Sequence, residues 1–168
     1  MDEPLQRQKT ASPSGPHSES HGSPMQVALQ EARAAAAREE VPVGAVVVDS
    51  TGKIIAQAGN RVRELNDPTA HAEILAMREA CSRLGSERIG DCDLYVTLEP
   101  CPMCASAISF ARIRRLYYGA SDPKSGGVEH GPRIFSQSTC HHAPEIYPGI
   151  SETEAAELLR EFFASRRG

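Results

Sequence analysis

Two short motifs in this 168-residue sequence combine residue types that bind metals and move protons. The first is His71-Ala72-Glu73, and the second is Pro100-Cys101-Pro102-Met103-Cys104. Cys101 and Cys104 are three residues apart, so on a helix their sulfur atoms lie on the same face. At the start of a helix, the dipole and the free N–H groups favour thiolate over thiol, and thiolate is the form that binds metals.

The spacing of His71 and Glu73 sets a condition on the first motif. Residues two apart in a helix point about 200° away from each other around the axis. Both can face one centre only if His71 stands at the mouth of its helix, and the helix-start sequence Asp67-Pro68-Thr69 predicts that position. One helix and one strand separate the motifs, so both helix mouths are expected at the carboxyl ends of neighbouring strands, where open α/β sheets place their sites.

One histidine and two cysteines are one ligand short of a closed structural zinc site. An open fourth position is typical of catalytic zinc, where it holds a water molecule whose pKa falls to about 7. The sequence therefore predicts that His71, Cys101 and Cys104 bind one zinc ion. Glu73 is predicted to be the catalytic acid and base, beside the water and not on the metal.

Three other interpretations of these motifs stay open. A redox dithiol is one, but the sequence lacks the usual Cys-Gly-Pro-Cys character and His-x-Glu would have no role. A structural zinc knuckle is another, and it would need a fourth ligand, whereas Cys81, Cys92 and Cys140 show no paired spacing. Chance is the third, and two motifs that each begin a helix argue against it.

The hydrophobic pattern predicts an α/β framework around these motifs. Helices are predicted over 24–38, 67–84, 101–111 and 151–166, strands over 44–48, 53–58, 93–98 and 115–119, and a loop-rich segment over 123–148. Ser151 and Glu154 have the spacing of a capping box at the start of the last helix. This order predicts a three-layer α/β/α fold with helices on both faces of a central mixed sheet. The sheet is expected to have about five strands, one more than the four that the pattern locates.

The composition is that of one globular domain with a polar extension at its start. Hydrophobic residues make up 40% of the chain and charged residues 24%, as in ordinary globular proteins. Residues 1–24 are rich in proline and serine and contain Leu5 as the only large aliphatic side chain before Met25. We therefore expect a disordered tail over 1–24 and one domain over 25–168.

Location and charge narrow the classes of function. No apolar run is long enough to span a bilayer, and no secretory signal is visible in residues 1–10. The five cysteines, an odd number, favour reduced thiols and hence a cytoplasmic protein. The net charge of −4 argues against a nucleic-acid partner, but the basic residues cluster late in the chain, which is compatible with a small RNA target: Arg112, Arg114, Arg115, Lys124, Arg133, Arg166 and Arg167.

His-x-Glu followed by Pro-Cys-x-x-Cys is the signature of zinc-dependent deaminases. Further segments around the signature carry a closer resemblance: Val41-Pro42-Val43-Gly44-Ala45, Gly59-Asn60-Arg61, and the stretches 66–74 and 94–101. They resemble the bacterial tRNA-specific adenosine deaminases, and the resemblance covers about residues 25–167. Segments 119–124, 141–142 and 162–167 are also similar to the tRNA enzymes. These three segments favour the tRNA enzymes over the related bacterial guanine deaminases, which share the zinc motifs.

The resemblance implies a cytidine deaminase-like fold, one Zn²⁺ per subunit, and hydrolysis of the wobble adenosine of a tRNA anticodon to inosine. It implies that Asn60 hydrogen-bonds the flipped base, that the Ala72 backbone helps to read its edge, and that Val43 and Asp122 also contact the substrate. It implies a homodimer whose RNA groove includes both subunits. The candidate contacts with the anticodon stem-loop are Lys124, Arg133, Arg166, Arg167, His142 and His141, the last at a position where many relatives carry asparagine.

Two other functions compete with this one. A guanine deaminase, or another deaminase of free bases or nucleosides, would use the same zinc chemistry. A non-catalytic RNA-binding protein would keep zinc only to hold the fold together, but such a protein would have no use for an acid at Glu73.

Overall fold

The computed structural model of the protein describes residues 22–167. The elements in this range are α1 (Pro24–Ala37), β1 (Gly44–Val48), β2 (Ile54–Gly59), α2 (Ala72–Leu84), β3 (Asp93–Leu98), α3 (Pro102–Ala111), β4 (Arg115–Ala120), a short 3₁₀ helix (Ile134–Ser136), β5 (Glu145–Tyr147) and α4 (Glu152–Ser165). The predicted disordered tail over 1–24 falls, up to residue 21, outside the described residues. Within the described part of the chain, no helix combines the length and the apolar character needed to cross a membrane.

The five strands form one mixed sheet in the order β2-β1-β3-β4-β5. β1 is antiparallel to both of its neighbours, whereas β3, β4 and β5 are parallel. One core cluster joins α2 and α3 to one face of the sheet, and a second joins α1 and α4 to the other face. The predicted three-layer α/β/α fold with a mixed five-stranded sheet is therefore confirmed.

The sheet is held from both sides along β1, whose five residues are all buried. A strand covered on both faces needs an unbroken apolar run, which the sequence Gly-Ala-Val-Val-Val provides. Gly44 allows α1 to approach the strand closely, because a Cβ atom at this position would lie 1.9 Å from the carbonyl oxygen of Ala28. The close contact fixes the height of α1 over β1, whose Gly44 pairs with Gly59 at the end of β2.

The fifth strand comes from the segment predicted to be loop-rich. β5 has three residues and pairs with β4 through Arg115, Leu116 and Tyr117. Its stability comes from this pairing and from the stacking of Tyr147 on Tyr117, with 4.8 Å between the ring centroids. A strand this short has no periodicity to read, so only its tertiary neighbours could reveal it.

The capping box predicted at the start of α4 is wrong. Ser151 has a φ of +54° and its side chain makes no cap hydrogen bond. Glu154 reaches across to α1 instead, where it forms an ion pair with Arg33 and accepts a hydrogen bond from Gln26. The contact between two helices replaces the local bond that the spacing predicts.

We expect Gly44→Ala to lower the free energy of unfolding by at least about 3 kcal/mol, because the added methyl group overlaps α1 and forces the helix away from the sheet. Gly52→Ala is the matched control. Gly52 has a φ of +86°, and a Cβ atom added there would meet nothing within 4 Å, so only backbone strain of about 1 kcal/mol is expected. Urea unfolding of both variants checks this, and equal losses would contradict it.

Candidate active site

The structure places His71 at the mouth of α2, as its spacing with Glu73 requires. The helix begins at Ala72, and His71 is the N-cap residue with extended backbone angles. The sequence predicted that the helix begins at Asp67, and this prediction is wrong. Asp67 instead accepts hydrogen bonds from the backbone N–H and the hydroxyl of Thr69, at 2.8 and 2.7 Å, and so forms a tight turn before the helix. Because His71 precedes the first helical residue, its side chain does not follow the helical rotation of about 100° per residue and can face the same centre as Glu73.

Cys101 and Cys104 occupy the start of α3 as predicted. Cys101 is the N-cap residue, Pro102 begins the helix, and Cys104 lies in the first turn. Neither α2 nor α3 has a side-chain cap from its own N-cap residue. The backbone N–H group of Cys104, in the first turn of α3, donates to the Cys101 sulfur, which favours the thiolate form of Cys101.

The two helix starts bring three ligand atoms together. His71 Nδ1 lies 3.6 Å from Cys101 Sγ and 3.5 Å from Cys104 Sγ. All three atoms lie within 4.8 Å of one another. Tetrahedral zinc bonds to nitrogen and sulfur separate neighbouring ligand atoms by about 3.5 to 3.8 Å. The donor set and its spacing therefore fit one zinc ion.

The pKa values of the two thiols are shifted in opposite directions. Hydrogen bonds from Cys104 and from His71 lower the pKa of Cys101 to about 4, although burial opposes this. The bond to the Cys101 sulfur, with burial and the nearby Glu73, raises the pKa of Cys104. The bond to Cys101 in turn raises the pKa of His71. A metal ion that binds both sulfur atoms therefore displaces a proton from Cys104 less readily than from Cys101.

Glu73 lies beside this cluster in the first turn of α2, with only 4% of its surface exposed. Burial raises its pKa, and the weaker attraction of its own backbone N–H group and of His71 does not offset this. A carboxyl group with a raised pKa exchanges protons more readily near neutral pH than an ordinary glutamate does. The position and environment of Glu73 suit a proton shuttle.

Asn60 links one wall of the site to the start of α2. Its side-chain oxygen accepts a hydrogen bond of 2.8 Å from the N–H group of Ala72, between His71 and Glu73. The Asn60 carbonyl accepts a bond from Arg38 at 3.2 Å, and the buried Glu40 accepts bonds from the next loop residues, Arg63 and Glu64. The N–H group of Ala72, whose backbone is implied by the resemblance to help read the substrate edge, thus has a partner in the protein.

A cavity of about 460 Å³ lies over the cluster. This volume is typical of small-molecule sites. The predicted site residues that line it are His71, Glu73, Cys101, Val43, Asn60, Asp122 and Arg166. Sequence reasoning did not assign the other lining residues to the site: Glu39, Glu40, Val41, Val62, Arg63, Leu98, Glu99, Ser125 and Phe162. Phe162 could have been predicted, because it belongs to segment 162–167, which also carries Arg166 and Arg167.

A second groove of about 520 Å³ adjoins the cavity and shares Asp122, Ser125 and Arg166 with it. Three predicted RNA contacts line this groove: Lys124, Arg166 and Arg167. The Arg166 guanidinium lies 4.1 Å from the centre of the Phe162 ring, which holds the charge at the edge of the cavity. The buried site therefore opens onto a cationic surface.

The structure does not bring the remaining predicted RNA contacts to this groove. Arg133 is exposed at the start of the 3₁₀ helix. His142 donates a hydrogen bond of 2.7 Å to the Ile113 carbonyl and so holds its loop against the sheet. His141 borders a separate depression beside Phe110 on α3.

These features together define a zinc-dependent deaminase: a histidine and two cysteines at paired helix starts, and a buried glutamate beside them under a cavity. The family model of the cytidine and deoxycytidylate deaminase zinc-binding region matches residues 18–120.

Comparison with individual relatives assigns the chain to one branch of the deaminase family. The tRNA-specific adenosine deaminase of Agrobacterium fabrum is 65% identical over 143 residues, which are 85% of this chain and 93% of that protein. A structure from a study of A-to-I editing by tRNA:A34 deaminases at the wobble position of transfer RNA is also 65% identical, with a TM-score of 0.80 over 81% of this chain and 98% of that one. Guanine deaminase from Bacillus subtilis is 32% identical, with a TM-score of 0.59 over 88% of this chain and 94% of that one. The chain belongs to the tRNA-specific adenosine deaminases, within the cytidine and deoxycytidylate deaminase family.

We expect Cys101→Ala to weaken zinc binding by more than about 100-fold, because loss of a direct ligand costs more than loss of a residue that only orients one. Cys81→Ala is the control, since Cys81 lies on α2 away from the cluster. Metal analysis after dialysis against a chelator distinguishes the two. Full zinc content in Cys101→Ala would contradict the ligand assignment.

Proposed function

We propose that this protein hydrolyses the wobble adenosine of a tRNA anticodon to inosine and ammonia. The observation that carries the proposal is the direct opening of the buried zinc site onto a groove lined by Lys124, Arg166 and Arg167. A deaminase of free bases has no need of a cationic groove beside its cavity. An RNA substrate does, because its phosphates follow the target base to the site.

His71, Cys101 and Cys104 would hold the zinc ion. When bound, zinc activates water as a nucleophile at neutral pH. Glu73 would accept one proton from the attacking water and pass it to the purine N1. It would then carry the second proton of the same oxygen to the amine that departs from C6. Because Glu73 is buried next to the cluster and its pKa is raised, its carboxyl group can both accept and release a proton within one cycle.

Asn60 would orient the flipped base. Its side-chain oxygen is already bonded to the Ala72 N–H group, so its NH₂ group is the end that is left to donate to an acceptor on the purine. Val43 contributes an apolar wall, and Asp122 lies where the cavity meets the groove. Arg38 donates to the Asn60 carbonyl, and Glu40 accepts a hydrogen bond from the Arg63 backbone, so both help to hold the segment that carries the amide.

We also propose that the protein is a homodimer. Phe110 on α3 is 72% exposed, and Met103 and Ala107 lie at helical spacing on the same side of the helix. A second copy that covers this surface would bury the most exposed large apolar side chain among the described residues. His141 borders the same depression as Phe110, so a dimer would place this histidine at the subunit boundary.

A cytoplasmic location is part of the same proposal. All five cysteines lie in the described range and none forms a disulfide. Free thiols and a thiolate-bound metal persist where the redox environment is reducing, as it is in the cytoplasm with its tRNA pool.

The central test is inosine formation on an anticodon stem-loop, run beside ammonia release from free guanine. We expect turnover of the stem-loop and none of guanine.

Glu73→Gln should retain its zinc, but its kcat should be lower by a factor of about 10² to 10⁴, because glutamine cannot transfer a proton. Guanine turnover without inosine formation would overturn the proposed substrate, and turnover by Glu73→Gln within tenfold of the wild type would overturn the proposed shuttle.

The salt dependence of stem-loop affinity tests the groove. Each phosphate contact that is lost should lower the slope of log affinity against log salt by about 0.7. Lys124→Ala with Arg166→Ala should therefore lower it by about 1.4 in total. Arg83→Ala is the control, because Arg83 lies in the last turn of α2, the end of the helix opposite the site, and it should leave the slope unchanged. Equal slopes in all three proteins would argue against the groove.

Phe110→Asp should convert the dimer to a monomer. A second copy that covers α3 would bury the aspartate without an opposite charge to pair with it, which is costly. Sedimentation velocity at micromolar concentration measures the change. Leu84→Asp is the matched control, since Leu84 is another exposed large apolar residue but lies at the far end of α2. A monomeric wild type, or a dimeric Phe110→Asp variant, would contradict the proposed interface.

A further inference from the structure

The loop over residues 122–130 forms the boundary between the zinc site and the cationic groove. Asp122 and Ser125 line both cavities, and Lys124 lines the groove. The loop has no helix or strand of its own. Its shape therefore depends on contacts with the rest of the protein.

Those contacts converge on one buried side chain, Glu99, which lies at the end of β3 and is 2% exposed. One carboxylate oxygen accepts the backbone N–H groups of three consecutive loop residues, Val128 at 3.2 Å, Glu129 at 3.1 Å and His130 at 3.2 Å. The other oxygen accepts the N–H group of Asp122 at 3.1 Å and the ring N–H of His130 at 2.7 Å. Both ends of the loop are thus tied to one carboxylate.

The geometry of this contact requires a carboxylate. A carboxylate offers two oxygen atoms that only accept hydrogen bonds, whereas the amide of glutamine presents an NH₂ group at one of the two positions. Because backbone N–H groups approach from both sides, an NH₂ group in either orientation would face a donor. A buried donor left without an acceptor costs about 1 to 3 kcal/mol.

Two glycines let the loop come this close. A Cβ atom at Gly126 would lie 2.3 Å from the Glu99 Oε2 atom, and one at Gly127 would lie 2.5 Å from the Pro102 nitrogen. The Gly127 N–H group also donates to the Pro100 carbonyl at 2.8 Å. The loop is therefore held against the Glu99–Pro102 segment, which also carries Cys101.

We propose that Glu99 is a positioning residue for RNA binding: it fixes the 122–130 loop, and with it Lys124, at a set distance from the zinc site. Glu99 acts through the loop and not on the base, because its two oxygen atoms are taken up by loop donors. The proposal rests on the proposed tRNA deaminase function for its effect on RNA, and on the hydrogen bonds alone for its effect on the loop.

The test compares Glu99→Gln with Glu129→Gln in the zinc-loaded full-length protein. Both variants lose one negative charge in the same region, but the Glu129 side chain is exposed. In Glu99→Gln, hydrogen exchange of the Val128, Glu129 and His130 amides should become at least about tenfold faster, in keeping with the loss of their acceptor. The KM for an anticodon stem-loop should rise by about tenfold while kcat changes by less than about threefold. Glu129→Gln should match the wild type in all three measurements.

A double-mutant cycle separates positioning from general destabilisation. If Glu99 positions Lys124, then Lys124→Ala should weaken binding of the stem-loop much less in Glu99→Gln than in the wild type. Purely additive losses would overturn the proposal. Gly126→Ala provides a second route to the same displacement, should Glu99→Gln fail to fold, and it should raise KM in the same way.

The outcomes also distinguish this proposal from the proposed function. Unchanged amide exchange in Glu99→Gln would overturn the role of Glu99 even if the protein deaminates the stem-loop. Faster exchange in a protein that shows no turnover of any anticodon stem-loop would instead overturn the proposed function.

Discussion

The structure depends on one geometric constraint, which is that two helix starts bring their ligand atoms within 4.8 Å of one another at the carboxyl edge of the sheet. His71 and Cys101 are both N-cap residues with extended backbone, so each side chain leaves its helix toward the other. The N–H groups at both helix starts make the shared space favourable for negative charge, and therefore for thiolates. The rest of the fold places α2 and α3 on the same face of the sheet. The sequence predicted that the strands leading into them are neighbours, but β2 and β3 lie on either side of β1. Because β1 is antiparallel to both, β2 and β3 run in the same direction, and both helices begin at the same edge of the sheet.

The buried carboxylates show how the same residue type takes different roles. Glu73 and Glu99 are buried to almost the same extent, at 4% and 2% exposure. Burial raises the pKa of each, but for Glu99 the bonds from His130 and from backbone N–H groups more than offset it, so its pKa lies below the ordinary value. Glu73 receives less support, and its pKa is raised. The number of donors around a carboxylate thus separates a group that moves protons from one that holds a loop.

The cationic groove and the acidic net charge are compatible because charge matters locally. Lys124 is far from Arg166 and Arg167 in the sequence, but all three line one groove beside the site. Arg114 and Arg115, which the sequence grouped with them, are instead paired with Asp93 and Glu145 on the sheet. A basic count along the chain cannot separate these two uses, since ion pairs form between residues that only the fold brings together.

Much of the fold and the centre of the site could be predicted from local sequence. The apolar run of β1 and the spacing of the two motifs predicted the buried strand, the start of α3 and the zinc ligands, because each depends on residues that are close in the chain. The predicted start of α2 at Asp67 was wrong because the Asp67–Thr69 turn uses the same residues as a helix cap. The sequence could not reveal β5, whose three residues carry no period.

The sequence by itself therefore determined which groups are available for chemistry: one imidazole, two thiols and one carboxylate, carried by two short motifs. Only the tertiary structure decided how these atoms are arranged and what surrounds them. It replaced the capping bond of Glu154 by a contact with α1, gave the Ala72 N–H group to Asn60, and folded the 122–130 loop around Glu99. The physical reason is that hydrogen bonds and burial act between residues far apart in the chain, whereas propensity and spacing report only on near neighbours.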